Sequence, residues 1–268
     1  MVMKRSNAGL SFKEKYGPYA LVAGGSYGLG GAYAEALAKR GLNLALLARD
    51  TERLESIASR LREQYSVDVI TAVVDLADYA AAKRVIAGLD VPIGLLVYNA
   101  AHAPIGLFEK TSEDQLSLAA AVNVKAPLLL SKLLSPPMIQ NRHGGIVLMS
   151  SLAGVQGSPN LATYAATKAF NAILAEGLWK ELQPHGIDVI GCCAGAILTP
   201  GYQQAEKKKP APGTLTAEEV AEQTLRALGR GPVIVPGGFN KFVRFLMARL
   251  MPRRTAINIM AQNTGGLS

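Results

Sequence analysis

The 268-residue sequence predicts an α/β fold, a doubly wound, parallel, seven-stranded sheet with helices on both faces. Three observations carry that expectation. Seven short apolar runs lack the polar alternation of a strand wetted on one side: Tyr19 to Ala23, Asn43 to Ala48, Val67 to Val74, Ile93 to Asn99, Gly145 to Ser150, Asp188 to Ala194 and Pro232 to Val235. Stretches of helical periodicity lie between them, as parallel strands require crossovers that return to the same edge. A glycine-rich turn, Ala23-Gly24-Gly25-Ser26-Tyr27-Gly28-Leu29-Gly30, joins the first run to the first helical stretch.

Taken in order, helices are expected at Gly30 to Arg40, Thr51 to Tyr65, Tyr79 to Leu89, Glu113 to Leu134 and Tyr164 to Leu182. Asp50 precedes the second of these as a strong N-cap. Thr216-Ala-Glu-Glu219 forms a capping box that opens a further helix. Just before it, the polar segment 201–215, with Lys207-Lys208-Lys209 and two prolines, reads as a surface loop. No repeat or linker interrupts the pattern, so residues 1–268 are expected to form one domain.

With 49% hydrophobic and 18% charged residues, the chain can bury a large core and is not a disordered sequence. Its 27 glycines follow no period, which excludes a collagen-like chain. Cys192 and Cys193 are adjacent and supply no disulfide framework. They read as free thiols on a strand, one facing each side, serving as small core hydrophobes in a reducing, cytoplasmic setting. No early stretch has the form of a secretory signal, and no uninterrupted apolar run reaches the roughly 18 residues of a membrane span. The net charge of +8 is largely local, since Lys241, Arg244, Arg249, Arg253 and Arg254 occur with no acidic residue among them. Segment 239–254 is amphipathic, with Phe242, Val243, Leu246 and Leu250 at helical spacing. Two readings stand: a helix peripheral to an anionic membrane, or one packed on a pocket or subunit contact. No zinc-finger spacing or aromatic RNA-binding motif is present, so neither a metal nor nucleic acid is expected.

The chemistry is concentrated in Tyr164-Ala-Ala-Thr-Lys168, which follows Ser150-Ser151. Residues four apart on a helix share a face, so the Lys168 ammonium can sit beside the Tyr164 phenol and lower its pKa toward working pH. Tyr164 is therefore a candidate general acid and base. In the glycine turn, the missing side chains let the backbone approach a pyrophosphate held at a helix N-terminus. Together these motifs read as a nicotinamide-dependent carbonyl or alcohol redox site.

From about Tyr19 to about Val235 the chain resembles the short-chain dehydrogenase/reductase family, in its short, single-domain branch with a Rossmann fold. The glycine turn, Asp75, Asn99-Ala100, Asn123, Ser151, Tyr164, Lys168 and Thr199 fall in that family's order and spacing. The resemblance implies that Tyr164 passes a proton to the substrate oxygen while Ser151 donates a hydrogen bond to it. It implies that Lys168 binds the nicotinamide ribose and that Asn123 positions a water leading to Lys168. It also implies that the cofactor is held by Gly24, Ser26, Tyr27, Gly28, Leu29 and Gly30 of the turn, and by Asp75, Leu76, Asn99 and Ala100. Gly195, Ile197 and Thr199 complete that set, with Tyr164 and Lys168 at the nicotinamide end.

Arg49 stands at the position that discriminates between the two dinucleotides and is suited to pair with the 2′-phosphate of NADP, so NADPH is expected over NADH. Tyr27 stands where NADP enzymes often carry a second basic residue. His102, Leu152, Ala153 and Tyr202, with the 201–215 lid, are expected to form the pocket for a lipophilic ketone or secondary alcohol, hydroxysteroid-like or acyl-like. The family also implies a homodimer or homotetramer. Three scaffold positions depart from its pattern: Ala23 in place of Thr, Ala101 in place of Gly, and Ala194 in place of Pro before Gly195. A noncatalytic dinucleotide sensor on the same fold is the alternative, disfavoured because Tyr164 and Lys168 are both present.

Overall fold

The computed structural model describes residues 9–198 and 211–264. Each apolar run contains a strand: β1 Tyr19–Ala23, β2 Asn43–Ala48, β3 Val69–Val73, β4 Ile93–Tyr98, β5 Gly144–Ser151 and β6 Ile187–Ala194. Two short strands follow, β7 Ile197–Leu198 and β8 Leu215–Thr216, and then β9 Val233–Ile234. The main sheet has seven strands in the order β3-β2-β1-β4-β5-β6-β9, and every pairing in it is parallel. β7 and β8 form a separate parallel pair.

Helices α1 Phe12–Tyr16, α2 Gly28–Ala38, α3 Thr51–Tyr65, α4 Tyr79–Ala87, α5 Glu113–Ala120, α6 Ala126–Asn141 and α7 Ala162–Leu182 occupy the first two thirds of the chain. α8 Ala217–Ala227, α9 Gly238–Phe245 and α10 Arg253–Thr264 complete it. α2, α3 and α8 cover one face of the sheet, while α4, α6 and α7 cover the other. This explains why the strands are apolar throughout. In β1, Ala20 and Val22 enter the first core and Leu21 and Ala23 the second, and all four are fully buried.

Capping fixes the helices where the sequence leads one to expect it. The Asp50 carboxylate accepts from the Arg53 amide at 3.0 Å to open α3. Thr216 and Glu219 make the reciprocal pair of a capping box at α8. α2 begins at Gly28, two residues before the periodic stretch, because the turn glycines themselves enter the helix. α5 and α6 are continuous from Glu113 to Asn141 through a π-helical turn, Ala121–Lys125, and pass Pro136-Pro137, with Met138 buried beneath β5. By length and mean hydropathy this helix could cross a membrane. Here Leu130, Leu134 and Met138 belong to the core, so one face of this helix packs on the sheet.

Both cysteines are free and buried. Cys192 accepts a hydrogen bond from Thr224 Oγ1 at 3.2 Å, and burial pushes its thiol up to about 12. A thiol so far from ionising is inert, in keeping with a packing role.

Candidate active site

The chain leaves β1 toward β2 on one side and reaches β4 on the other. At that divergence a cleft of about 750 Å³ opens beyond the strand ends. Gly24, Ser26 and Tyr27 line it from the glycine turn, Arg49 and Asp50 from the end of β2, Asp75 and Leu76 from beyond β3, and Asn99, Ala100 and His102 from beyond β4.

The turn is locked by the backbone around it. Gly24 N donates to the Leu47 carbonyl at 2.7 Å, and the Asn99 side-chain amide donates to the Gly24 carbonyl at 3.1 Å. Asn99 N and Ala100 N both donate to the Ala23 carbonyl, at 3.0 and 2.9 Å. The main chain of Ala23 thus ties the turn where its side chain cannot. Gly24 has φ +79°, and a Cβ there would lie 2.9 Å from the Ala100 backbone. A Cβ at Gly30 would overlap the Gly24 carbonyl oxygen. α2 then starts at Gly28 with no side-chain cap, which leaves its first amides for an anion. This bare turn at a helix start fits a dinucleotide pyrophosphate.

Beside the turn lies a cation that sequence reading missed. Arg53, on the first turn of α3, lays its guanidinium 4.6 Å from the centre of the Tyr27 ring, and its Nε pairs with Asp50 at 3.2 Å. It lines the same cleft as Arg49. A basic group thus stands beside Tyr27, contributed by α3 and stacked on that tyrosine. Its position three residues after an N-cap is the only local signal for it.

At the end of β5 the two serines divide their tasks. Ser150 Oγ donates to the Lys168 carbonyl at 2.6 Å and joins the strand to α7. Ser151 Oγ accepts from Ala153 N at 3.2 Å, which starts a tight turn over Leu152–Val155, and its hydroxyl acts on the Tyr164 phenol. Leu152 and Ala153 are half-buried in that turn. On α7, Lys168 Nζ lies 5.5 Å from the Tyr164 ring centre and donates to the Met149 carbonyl at 3.0 Å.

The electrostatics correct one expectation. Burial raises the Tyr164 phenol above its ordinary pKa, and the Ser151 hydroxyl pulls it partly back. Lys168 does not lower it in this geometry, because its ammonium is directed at Met149 and is itself desolvated. Burial depresses Lys168 to about 8, with Cys192 opposing that shift.

Asn123 is fully buried at the π-helical turn, the local distortion that sets its side chain between two elements. Its Oδ1 accepts from His102 N at 2.8 Å, and its Nδ2 donates to the His102 carbonyl at 2.7 Å and to Thr167 Oγ1 at 3.0 Å. Both amide hydrogens are thus spent on clamping the loop after β4 to α7, and the side chain makes no contact with Lys168 among these bonds. The clamp leaves His102 Nε2 buried without a partner among the described residues, on a residue that lines the cleft.

Gly195 follows β6 and packs against Asn240. Ile197 is in β7, held against Leu215. Thr199, Tyr202 and residues 201–210 of the expected lid lie outside the described residues. Among the described residues no cluster of three metal-ligating side chains occurs.

Residues 18–210 match the short chain dehydrogenase family. A very-long-chain 3-oxoacyl-CoA reductase from Phaeosphaeria nodorum is 32% identical over 221 residues, covering 80% of this chain and 64% of that protein. The chain therefore spans just under two thirds of that relative's length. A solved structure of a 7β-hydroxysteroid dehydrogenase superposes with a TM-score of 0.88 at 26% identity, over 94% of this chain and 100% of the other. A short-chain dehydrogenase from Sphingobium yanoikuyae, solved in complex with NADPH, superposes with a TM-score of 0.76 at 30% identity, over 88% and 96% of the two chains.

Proposed function

This chain belongs to the short-chain dehydrogenase/reductase family and is an NAD(P)-dependent oxidoreductase, and on that premise we propose that it uses NADPH to reduce a ketone on a lipophilic substrate of steroid or acyl type. The observation that carries this reading is the convergence of Tyr164, Ser151 and Lys168 from β5 and α7, in a fold whose cleft carries Arg49 and Arg53. A binding module would have no use for the first three.

The bound dinucleotide supplies the hydride. Tyr164 delivers its phenolic proton to the carbonyl oxygen as charge develops there, leaving a phenolate. Ser151 keeps its hydroxyl hydrogen for Tyr164 or for that oxygen, since its interaction with Ala153 N uses only a lone pair. Lys168, depressed only to about 8, stays largely protonated at neutral pH, a cation available to the nicotinamide ribose hydroxyls as the family resemblance implies. Asn123 is a positioning residue that fixes His102 and α7. Preference for NADPH rests on two guanidinium groups, Arg49 and Arg53, in a cleft where the carboxylate nearest to them along the chain, Asp50, is already engaged as the α3 cap. Leu152 and Ala153 offer apolar contact for the substrate, and His102 stands at the wall of the cleft.

Fluorescence titration with NADPH and NADH, followed by turnover on steroid ketones and 3-oxoacyl-CoA substrates, tests the reading. Tyr164→Phe is expected to lower turnover by roughly 10²- to 10⁴-fold with NADPH affinity unchanged. A Tyr164→Phe enzyme with the parent rate would sink the mechanism.

A further inference from the structure

The net positive charge of the chain lies almost wholly in its last residues. No acidic residue follows Glu222, whereas 7 of the 28 Lys and Arg do, so residues 223–268 supply +7 of the net +8. This stretch contains α9, which continues through a π-helical turn, Leu246–Leu250, beside the edge strand β9. Phe239, Phe242, Phe245 and Leu250 on it are 52%, 62%, 55% and 65% exposed.

Between the helix and β9 lies a cleft of about 450 Å³ walled by Arg230, Lys241, Arg244 and Arg249 together with Val233 and Phe245. No carboxylate lines it, and none of the four cations is ion-paired among the described residues. Such cations attract a phosphate-bearing ligand. Phenyl groups exposed beside them favour an apolar phase in contact with that phosphate. Both demands are met at the headgroup and acyl boundary of a bilayer. A second copy of this chain fits poorly, because a two-fold contact through this face would set one cationic surface against another.

We propose that this face docks the protein on an anionic phospholipid bilayer, the basic cleft receiving headgroup phosphate and the phenyl rings entering the acyl boundary. The helix that carries this surface is tied to the segment beyond β6. Asn240, buried at the start of α9, donates to the carbonyls of Gly213 and Pro236 at 2.9 and 3.0 Å and packs on Gly195 beyond β6. On the reading of the substrate as lipophilic, docking would bring the site to the phase in which that substrate dissolves.

Vesicle flotation of the full chain tests this, with phosphatidylcholine alone and with about a third of it replaced by phosphatidylserine. Binding is expected to the anionic vesicles and to be lost at high salt. Arg244→Ala and Arg249→Ala should each weaken partitioning roughly fivefold. Phe242→Ser with Phe245→Ser should weaken it roughly tenfold or more. These substitutions remove side chains at a surface, and an unchanged NADPH titration on the same samples reports intact folding separately from membrane affinity. Equal flotation with neutral vesicles would overturn the proposal. So would inorganic phosphate displacing the protein at low concentration, with the Phe variants binding as the parent does. Duplex DNA retained more tightly than vesicles, or a Phe242-dependent dimer with no flotation, would likewise replace it.

Discussion

Gly30→Ala and Gly31→Ala add the same methyl at neighbouring positions of α2 and should move stability in opposite directions. At Gly31 the nearest atom to the new Cβ is Ile57 Cδ1 at 3.2 Å, the end of a side chain that can rotate away. Alanine also gains roughly 0.5–1 kcal/mol over glycine in a helix. At Gly30 the methyl overlaps the Gly24 carbonyl oxygen and stands 2.8 Å from Asn99 Nδ2. Neither can yield without moving the turn. Breaking the Asn99 to Gly24 hydrogen bond costs about 1 kcal/mol, and overpacking against backbone about 1–3 kcal/mol. After the helical gain, the net loss is about 1–3.5 kcal/mol. For a chain of this size that lowers the thermal midpoint by roughly 2–14 °C, whereas Gly31→Ala holds or raises it. Thermal unfolding by circular dichroism without cofactor gives the comparison, and fluorescence titration shows whether the displaced turn still takes NADPH. A Gly30→Ala protein as stable as Gly31→Ala, with parent affinity, would refute the argument that this turn tolerates no side chain.

The remaining predictions concern the charges of the site. Arg49→Ala should weaken NADPH about 10- to 100-fold, the worth of a charge-assisted contact, and leave NADH nearly unchanged. Arg53→Ala should cost only about two- to fivefold, because its side chain is 57% exposed and already paired with Asp50. Equal losses for both dinucleotides would remove Arg49 as the discriminator. Lys168 has a pKa depressed in the folded state, to about 8 from 10.5. The unfolded chain therefore binds more protons between those values, and stability rises with pH across that window. Below about pH 8 both states are protonated and the burial penalty, about 3 kcal/mol, is fully present. Lys168→Met should thus be more stable than the parent at neutral pH by a margin that shrinks toward pH 10.5. A margin constant from pH 7 to 10.5 would contradict a buried, titrating Lys168.

What was legible in the sequence was whatever a single element encodes. β1, β2 and α3 have the expected ends because an apolar run, or a cap followed by a periodic stretch, is a local signal. Tyr164 and Lys168 could be paired because helical geometry alone puts them on one face. The β7 and β8 pair has two residues in each strand and no pattern to read, and α10 was likewise not anticipated. The helix expected over Glu113 to Leu134 runs on through Pro136-Pro137 to Asn141, with Met138 buried. The site shows the same division more sharply. Asn123 was visible as a residue, but its task depends on a π-helical turn and on the backbone of His102, which comes from another loop. Arg53 reaches Tyr27 only because α3 docks beside the glycine turn. The phenol of Tyr164 lies above its ordinary pKa because burial, a property of the assembled fold, outweighs the pull of the Ser151 hydroxyl that opposes it. Proximity along a helix therefore identified the proton donor, but its acidity is set by elements the helix does not contain.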